Sequence, residues 1–288
     1  MQRQLIVTAD DYGMCDSVNR AIEECMAAGT VKATCVMINM PANEQTASLR
    51  QWFPHCSIGI HWTLTEGRPI LPPEQVPSLV QTDKTFHSAQ ELRRRWNQRR
   101  MHRAEVKAEL CAQYTRFCEV ADLPDFWNTH ENFHVWPGLF NVCVALGQEL
   151  HIRAMRSHRR FTVPRVQTVT AYHWRHPLYW VKGTVLGRWA KRVAAQGMLM
   201  PDGRVYMPGY SIDKASLEDA LRRLPWHSVT KAVEVIIHPA IRVEDVFGAL
   251  TESRLREYAM YKEPNLATSL MRLGVKPVSF EALQGFPQ

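Results

Sequence analysis

The chemistry of this chain is narrowed first by what its sequence does not contain. No apolar stretch approaches the roughly 18 residues needed to cross a bilayer, so the chain reads as a soluble protein that can still visit a membrane surface. The seven cysteines, at positions 15, 25, 35, 56, 111, 118 and 143, are odd in number and include no CxxC pair. That pattern fits a reducing cytoplasm better than a disulfide framework. The first residues run straight into an apolar segment, with none of the regions of a signal peptide. There is no GxSxG elbow for a serine hydrolase and no glycine-rich phosphate loop after the first strand. No zinc-finger, RNP or helix-turn-helix signature accompanies the formal charge of +7. The basic excess sits at 93–103 and 188–192 and reads as solvated helix faces, so nucleic acid is not an expected partner. Internal repeats and low-complexity segments are absent as well.

What is present is an ordinary globular composition, with 288 residues, 45% hydrophobic and 22% charged, enough for one sizeable core. Apolar runs of strand length fall at 4–9, 30–40, 57–64, 125–132, 152–158, 233–239 and 275–280. Helical patterns lie between several of them, from about Ser17 to Gly29, over 88–120 and over 139–149. Residues 66–87 hold four prolines and read as a long loop over the active face. Between 159 and 210 the alternation breaks down, and this stretch reads as an aromatic and basic helical insertion within a single domain spanning 1–288. Strands alternating with helices predict an α/β fold with a mostly parallel sheet, either an open doubly wound sheet or a barrel.

The ends of the strands favour the barrel. Asp10 and Asp11 end the first strand, Asn39 the second, and His61 falls late in the third; His130 and Asn132, then Arg156, then His238 close later ones. In a (β/α) barrel these ends converge on one mouth, and isolated buried Asp or His residues would otherwise be costly. Adjacent strand residues point to opposite faces, so Asp10 and Asp11 serve one site only if the backbone turns there, one carboxylate binding a metal while the other takes a proton. His130, Asn132 and His134 alternate, so in strand geometry they line one face; His130 and His134 also have helical spacing. Imidazoles together with a carboxylate favour a catalytic divalent ion with an open position for water, and Asp11, His61 and His130 taken together carry the case for metal binding.

The segments Thr8-Ala9-Asp10-Asp11-Tyr12-Gly13, residues 59–69 (GIHWTLTEGRP), the stretch 130–137, Ala154-Met155-Arg156 and Ile237-His238-Pro239 together resemble the YdjC-like carbohydrate deacetylases, which include chitooligosaccharide and hopanoid-biosynthesis deacetylases. The resemblance covers most of the chain and is poorest over 159–230. It implies a distorted (β/α) barrel that hydrolyses the acetamide of an N-acetylated amino sugar, in an oligosaccharide or a glycolipid. It further implies Asp11, His61 and His130 as metal ligands, Asp10 as general base, His238 as acid for the leaving amine, and Arg156 as the residue that orients or screens Asp10. The family shows HxHxH where this chain has Asn132, which makes Asn132 a substrate or orienting residue. The third ligand is then His130 or His134, with His130 preferred. His134, Asn132, Asn39 and Glu66 are the candidate substrate contacts.

One divalent ion is expected, zinc or magnesium first, with manganese, cobalt or nickel as alternatives. Two other readings stay open, a metal-dependent hydrolase of a phosphoester or non-sugar amide and an inactive sugar- or lipid-binding relative. A homodimer is a further open reading. Residues 172–192 form either a lid over the sugar, the preferred reading, or a contact with a membrane surface.

Overall fold

The computed structural model describes residues 3–244, 246 and 251–285. Its strands are β1 (Arg3–Tyr12), β2 (Ala33–Val36), β3 (Ser57–Trp62), β4 (Trp127–Thr129), β5 (Arg160–Thr162), β6 (Gly203–Tyr206), β7 (Val233–Ile237) and β8 (Val275–Pro277). Every pairing is parallel, in the order β4-β3-β2-β1-β7-β6-β5, with β8 against the start of β1. The circuit closes through isolated bridges, Trp127 to Met155 and Ala154 to Leu199. The backbone N–H of Arg156 donates to Trp127 O at 3.2 Å, and that of Met155 to Leu199 O at 2.9 Å. The result is a distorted (β/α) barrel. The expected strand over 152–158 is reduced to these bridges, and its line of pairing resumes as β5. The stretch 159–210 is correspondingly more than a helical insertion, because it contributes β5 and β6 to the sheet.

Ten α-helices among the described residues clothe the sheet: α1 (Asp16–Ala27), α2 (Thr46–Trp52), α3 (Ala89–Asn97), α4 (Arg103–Ala121), α5 (Leu139–Glu149), α6 (Val169–Arg175), α7 (Pro177–Ala194), α8 (Lys214–Arg223), α9 (Glu252–Tyr261) and α10 (Asn265–Arg272). Local chemistry sets several of their starts. Ser88, Thr168 and Asp213 each accept a hydrogen bond from the backbone N–H three residues on, satisfying donors that the first turn leaves open. α1 presents Val18, Ala21, Ile22 and Cys25 to the core, as its periodicity predicts.

The period of two along each strand sorts the side chains into two environments. Leu5, Val7 and Ala9 of β1 face the helices, as do Ile58, Ile60 and Trp62 of β3 and Val233, Val235 and Ile237 of β7. The alternate positions face the barrel interior, where Ile6, Ala33, Cys35, Phe126, Ala154 and Ala232 form a second cluster. Phe280, at the start of the C-terminal turn, plugs it by stacking on Phe126 at a centroid distance of 3.9 Å. Gly59 permits that plug, since a Cβ there would lie 2.6 Å from the Phe126 ring. Continuing along the same inward face from Ile6 gives Thr8 and Asp10; from Gly59 it gives His61, from Phe126 Asn128, from Ala154 Arg156, and from Ala232 Glu234. The bottom of the barrel is therefore apolar, and its upper layers collect the polar groups.

Candidate active site

Asp10 and Asp11 reach the same mouth because the strand breaks its own alternation between them. The register of β1 against β2 shifts between Ala9 and Tyr12, and Asp11 sits at φ +75°, a left-handed conformation unfavourable for a non-glycine residue. Such strain persists where surrounding contacts over-determine it. Here the contacts belong to the Asp11 carboxylate. Its Oδ1 lies 3.3 Å from His61 Nε2 and 3.1 Å from His130 Nδ1, and its Oδ2 accepts from Arg254 Nη2 at 2.6 Å. Burial alone would raise the Asp11 carboxyl, but the hydrogen bond and charge of His130, with His61, hold it well below the usual carboxylate range.

Three ligand-type atoms, one oxygen and two imidazole nitrogens, thus converge in a buried position. Burial disfavours charge on His130, but the hydrogen bond and charge of Asp11, with Glu131 and Glu66, together outweigh it, so the pKa of the imidazole rises. Carboxylate and imidazole therefore share a proton that a metal cation would displace. The other ring nitrogen of His61, Nδ1, faces the side-chain amide of Asn128. With the amide oxygen turned toward His61, Nδ1–H donates to it and Nε2 keeps a lone pair for a metal, while Asn128 Nδ2 reaches Asp10 Oδ1 at 3.4 Å. With the amide turned over, its oxygen instead accepts from Arg156 Nη1 and Nη2 at 2.8 and 3.0 Å, and the His61 proton moves to Nε2. Asn128 therefore sets the tautomer that decides whether His61 can be a ligand. The donor set fits a divalent ion, with the Asn128 oxygen turned toward His61 when the ion is held; without the ion the turned-over amide, paired with Arg156, is the better satisfied.

Asp10 is built for a different task. Arg156 grips it with Nη1 to Oδ2 at 2.7 Å and Nη2 to Oδ1 at 2.6 Å, and reaches Glu234 Oε1 with Nε at 3.0 Å. Glu234 also accepts from Thr8 Oγ1 at 2.8 Å, and the Cys35 thiol lies 3.2 Å from Asp10 Oδ1. Burial pushes the Asp10 carboxyl up, and the adjacent guanidinium reverses that and keeps it ionised well below its ordinary value. His238 Nε2 stands 3.9 Å from Asp10 Oδ2, beyond direct hydrogen-bond reach. Burial lowers its pKa despite the two nearby carboxylates. Its backbone N–H donates to Glu257 Oε2 at 2.6 Å.

The remaining sequence candidates divide. His130 through Val135 is a tight 3-10 turn with Glu131 and Asn132 at φ +52° and +53°, so His130, Asn132 and His134 do not line one face of a strand. His134 turns away from Asp11. Its Nδ1 lies 2.5 Å from Thr129 Oγ1, and its ring stands edge-on to Trp127 and His158. Asn132 Oδ1 accepts from Arg204 Nη1 at 3.4 Å, within the mouth. Asn39 uses its amide to hold the backbone of the next loop, donating to Glu66 O and Arg68 O at 2.9 and 3.1 Å. Its Oδ1 is buried without a partner, on the wall of an open groove shared with Glu66, Asn43, Arg68, Phe86 and Ser88. Glu66 forms a further ligand-type group with His130 and Glu131, beside a third made by Asp10, Cys35 and His61, and burial raises the Glu66 carboxyl pKa. The aromatics of the 172–192 segment also part company. Tyr179 stacks on Tyr206 and Trp189 packs against Phe140; Tyr179 and Trp180, each about half-exposed, line one pocket with Tyr172 and Tyr206, whereas Trp174 and Leu178 project into solvent. The segment thus turns some of its aromatics toward the end of β6 and leaves others in solvent.

The sequence reading missed Asn128, Glu234 and Arg254. Glu234 carried a usable signal, an acid inside the apolar run VEVII, which a buried strand tolerates only when paired. Asn128 shares the inward phase of His130. Arg254, on α9, had no local signal at all.

The model of the YdjC-like protein family matches residues 4–272. The chain belongs to this family. A carbohydrate deacetylase of Geobacillus stearothermophilus is 29% identical over 97% of this chain and 98% of its own length. The match to a chitooligosaccharide deacetylase of Proteus mirabilis is 33% identical and shorter, covering 52% of this chain and 57% of the relative. A crystal structure from Enterococcus faecalis V583, assigned by its name to cellobiose-phosphate cleavage, superposes with a TM-score of 0.75 at 23% identity, covering 98% of this chain and 99% of the other. That likeness shows the shared fold.

Proposed function

We propose that this YdjC-like chain, acting as one domain, is a metal-dependent carbohydrate deacetylase that hydrolyses the acetamide of an N-acetylated amino sugar. The observation that carries the reading is the division of labour between two neighbouring carboxylates. Asp11 is turned toward two imidazole nitrogens, while Asp10 is locked to a guanidinium. The names of the relatives from Geobacillus and Proteus support the substrate class.

Asp11, His61 and His130 would hold the ion. When bound, a divalent metal polarises the amide carbonyl and lowers the pKa of water from 15.7 toward about 7. Asp10, kept ionised and oriented by Arg156, takes a proton from the attacking water. His238, neutral in the resting site because burial lowers its pKa, is the adjacent group able to receive that proton and deliver it to the departing amine. The groove between Asn39, Glu66 and Phe86 takes the sugar, with Asn132 and Arg204 on the opposite side of the mouth. The seven free cysteines support work in a reducing cytoplasm.

The test is product analysis on a panel of N-acetylglucosamine monomers and oligomers and of sugar phosphates. The expected products are acetate and free amine, with Asp10→Asn lowering kcat by about 10²–10⁴-fold while metal affinity is retained. Phosphate release without acetate would assign the site to a phosphoesterase instead.

A further inference from the structure

The outer surface of α6 and α7 is apolar, basic and unpartnered among the described residues. Along α7, Leu178, Val181, Val185, Arg188 and Arg192 recur at spacings of three and four, which aligns them in one stripe. Leu186 and Val193 of the same helix are buried, while all five residues of the stripe are exposed. Leu178 and Trp174 are each 83% exposed, and Val181 and Val185 are exposed beside them. Large apolar side chains exposed singly are ordinary, but a contiguous group marks a contact surface.

The charge around this group narrows the partner. No Asp or Glu occurs between Glu149 and Asp202. The exposed Arg175, Lys182, Arg188, Lys191 and Arg192 have no ion-pair partner among the described residues. Lys182 has its pKa lowered by burial and then by Arg160, Arg93 and Arg204, so α3 adds to the same positive field. A second copy of the chain would bring two such fields together, and a nucleic acid would leave Trp174, Leu178 and Val181 without a role. An anionic lipid surface accommodates both the apolar stripe and the basic rim.

We propose that the outer face of α6 and α7 docks on an anionic bilayer, with Trp174, Leu178 and Val181 at the headgroup boundary and Arg188, Lys191 and Arg192 on the headgroups. The contact is peripheral, since no helix among the described residues is long and apolar enough to cross a membrane. The inner face of α7 carries Tyr179 against Tyr206 at the end of β6, so docking holds the barrel mouth about one helix diameter, ~10 Å, from the lipid. The inference stands independently of the deacetylase reading.

Flotation of the full chain with vesicles of phosphatidylcholine alone, or of phosphatidylcholine with phosphatidylglycerol, tests it. Binding is expected only to the anionic vesicles and is expected to weaken with salt. The Trp174→Ser/Leu178→Ser variant should lose flotation while keeping its unfolding temperature. Arg188→Gln and Arg192→Gln should each lower partitioning about five-fold, the factor for one basic group at such a surface. Failure of the parent chain to float would overturn the proposal, as would binding indifferent to Trp174 and Leu178. A concentration-dependent dimer abolished by the same apolar substitutions, without lipid binding, would assign the face to self-association and also overturn it.

Discussion

Replacing Arg156 by Met removes the guanidinium and keeps an apolar side chain of similar length, which isolates the charge. In the folded protein Arg156 makes two hydrogen bonds to Asp10, at 2.7 and 2.6 Å, and one to Glu234 at 3.0 Å. The side chains are 2% exposed for Arg156, 4% for Asp10 and 0% for Glu234. Breaking a buried pair from one side leaves an uncompensated charge and costs about 3–5 kcal/mol. For a chain of this size that corresponds to a fall in Tm of roughly 6–20 °C. The loss should depend on pH in a defined direction. Asp10 has its folded pKa held below its unfolded value of 3.8, so the parent gains stability from this pair above about pH 4 and loses it as pH falls further. In Arg156→Met, burial, the largest influence on Asp10, is opposed mainly by His61 and His238 and pushes its pKa up, so the carboxyl escapes its charge by protonating as the solution becomes acidic. The deficit relative to the parent should be largest near pH 8 and smaller at pH 5. Calorimetric or fluorescence-monitored unfolding at both values measures it. A deficit below about 1 kcal/mol at pH 8, or an equal one at both pH values, would refute the reasoning that Arg156 offsets buried negative charge.

Glu257→Gln tests the support of His238. Burial raises the Glu257 carboxyl to about 7, so the folded state binds its proton more tightly than the unfolded chain and stability falls as pH rises from about 4.5 to about 7, by up to about 3 kcal/mol. The variant should be the more stable form above pH 7 and should lack that slope in denaturant titrations; a parent-like slope would contradict the assignment. Asn128→Leu removes the contact that sets the His61 tautomer and should weaken metal affinity about 10–100-fold in a chelator competition, whereas unchanged affinity would show that the tautomer is set elsewhere. Gly59→Ala places a methyl against the Phe126 ring and should destabilise the barrel by about 1–3 kcal/mol through overpacking, read in chemical denaturation, with metal binding preserved if the upper layers are independent of the plug.

Much of this arrangement could be read from the strands with strong apolar runs. β1, β3 and β7 are long enough for their ends to be found, and Asp10, Asp11, His61 and His238 were picked out on that basis. β5 and β6 escaped because they are strands of three and four residues carrying little more than Phe161 and Val205 as apolar signal, amid basic and aromatic residues. The HENFH segment misled for a different reason. Its alternation looks like a strand, but the left-handed backbone at Glu131 and Asn132 folds it into a turn that brings His130 to Asp11 and sends His134 behind the site. The inward-facing register, more than the strand ends, places Asn128 and Glu234, and register becomes visible only when the barrel closes. Arg254 reaches Asp11 across 243 residues of sequence, a contact that no local pattern encodes.

The central claim is that Asp11, His61 and His130 hold the ion on which amide hydrolysis depends. It is tested most directly by measuring bound metal per chain and acetate release together, in chelator-stripped protein restored with zinc, magnesium, manganese, cobalt or nickel, for the parent and for Asp11→Asn and His61→Gln. The account predicts one ion per parent chain, acetate release that rises with occupancy, and loss of both in the two variants. Acetate release that survives stripping, or full occupancy in both variants, would contradict it.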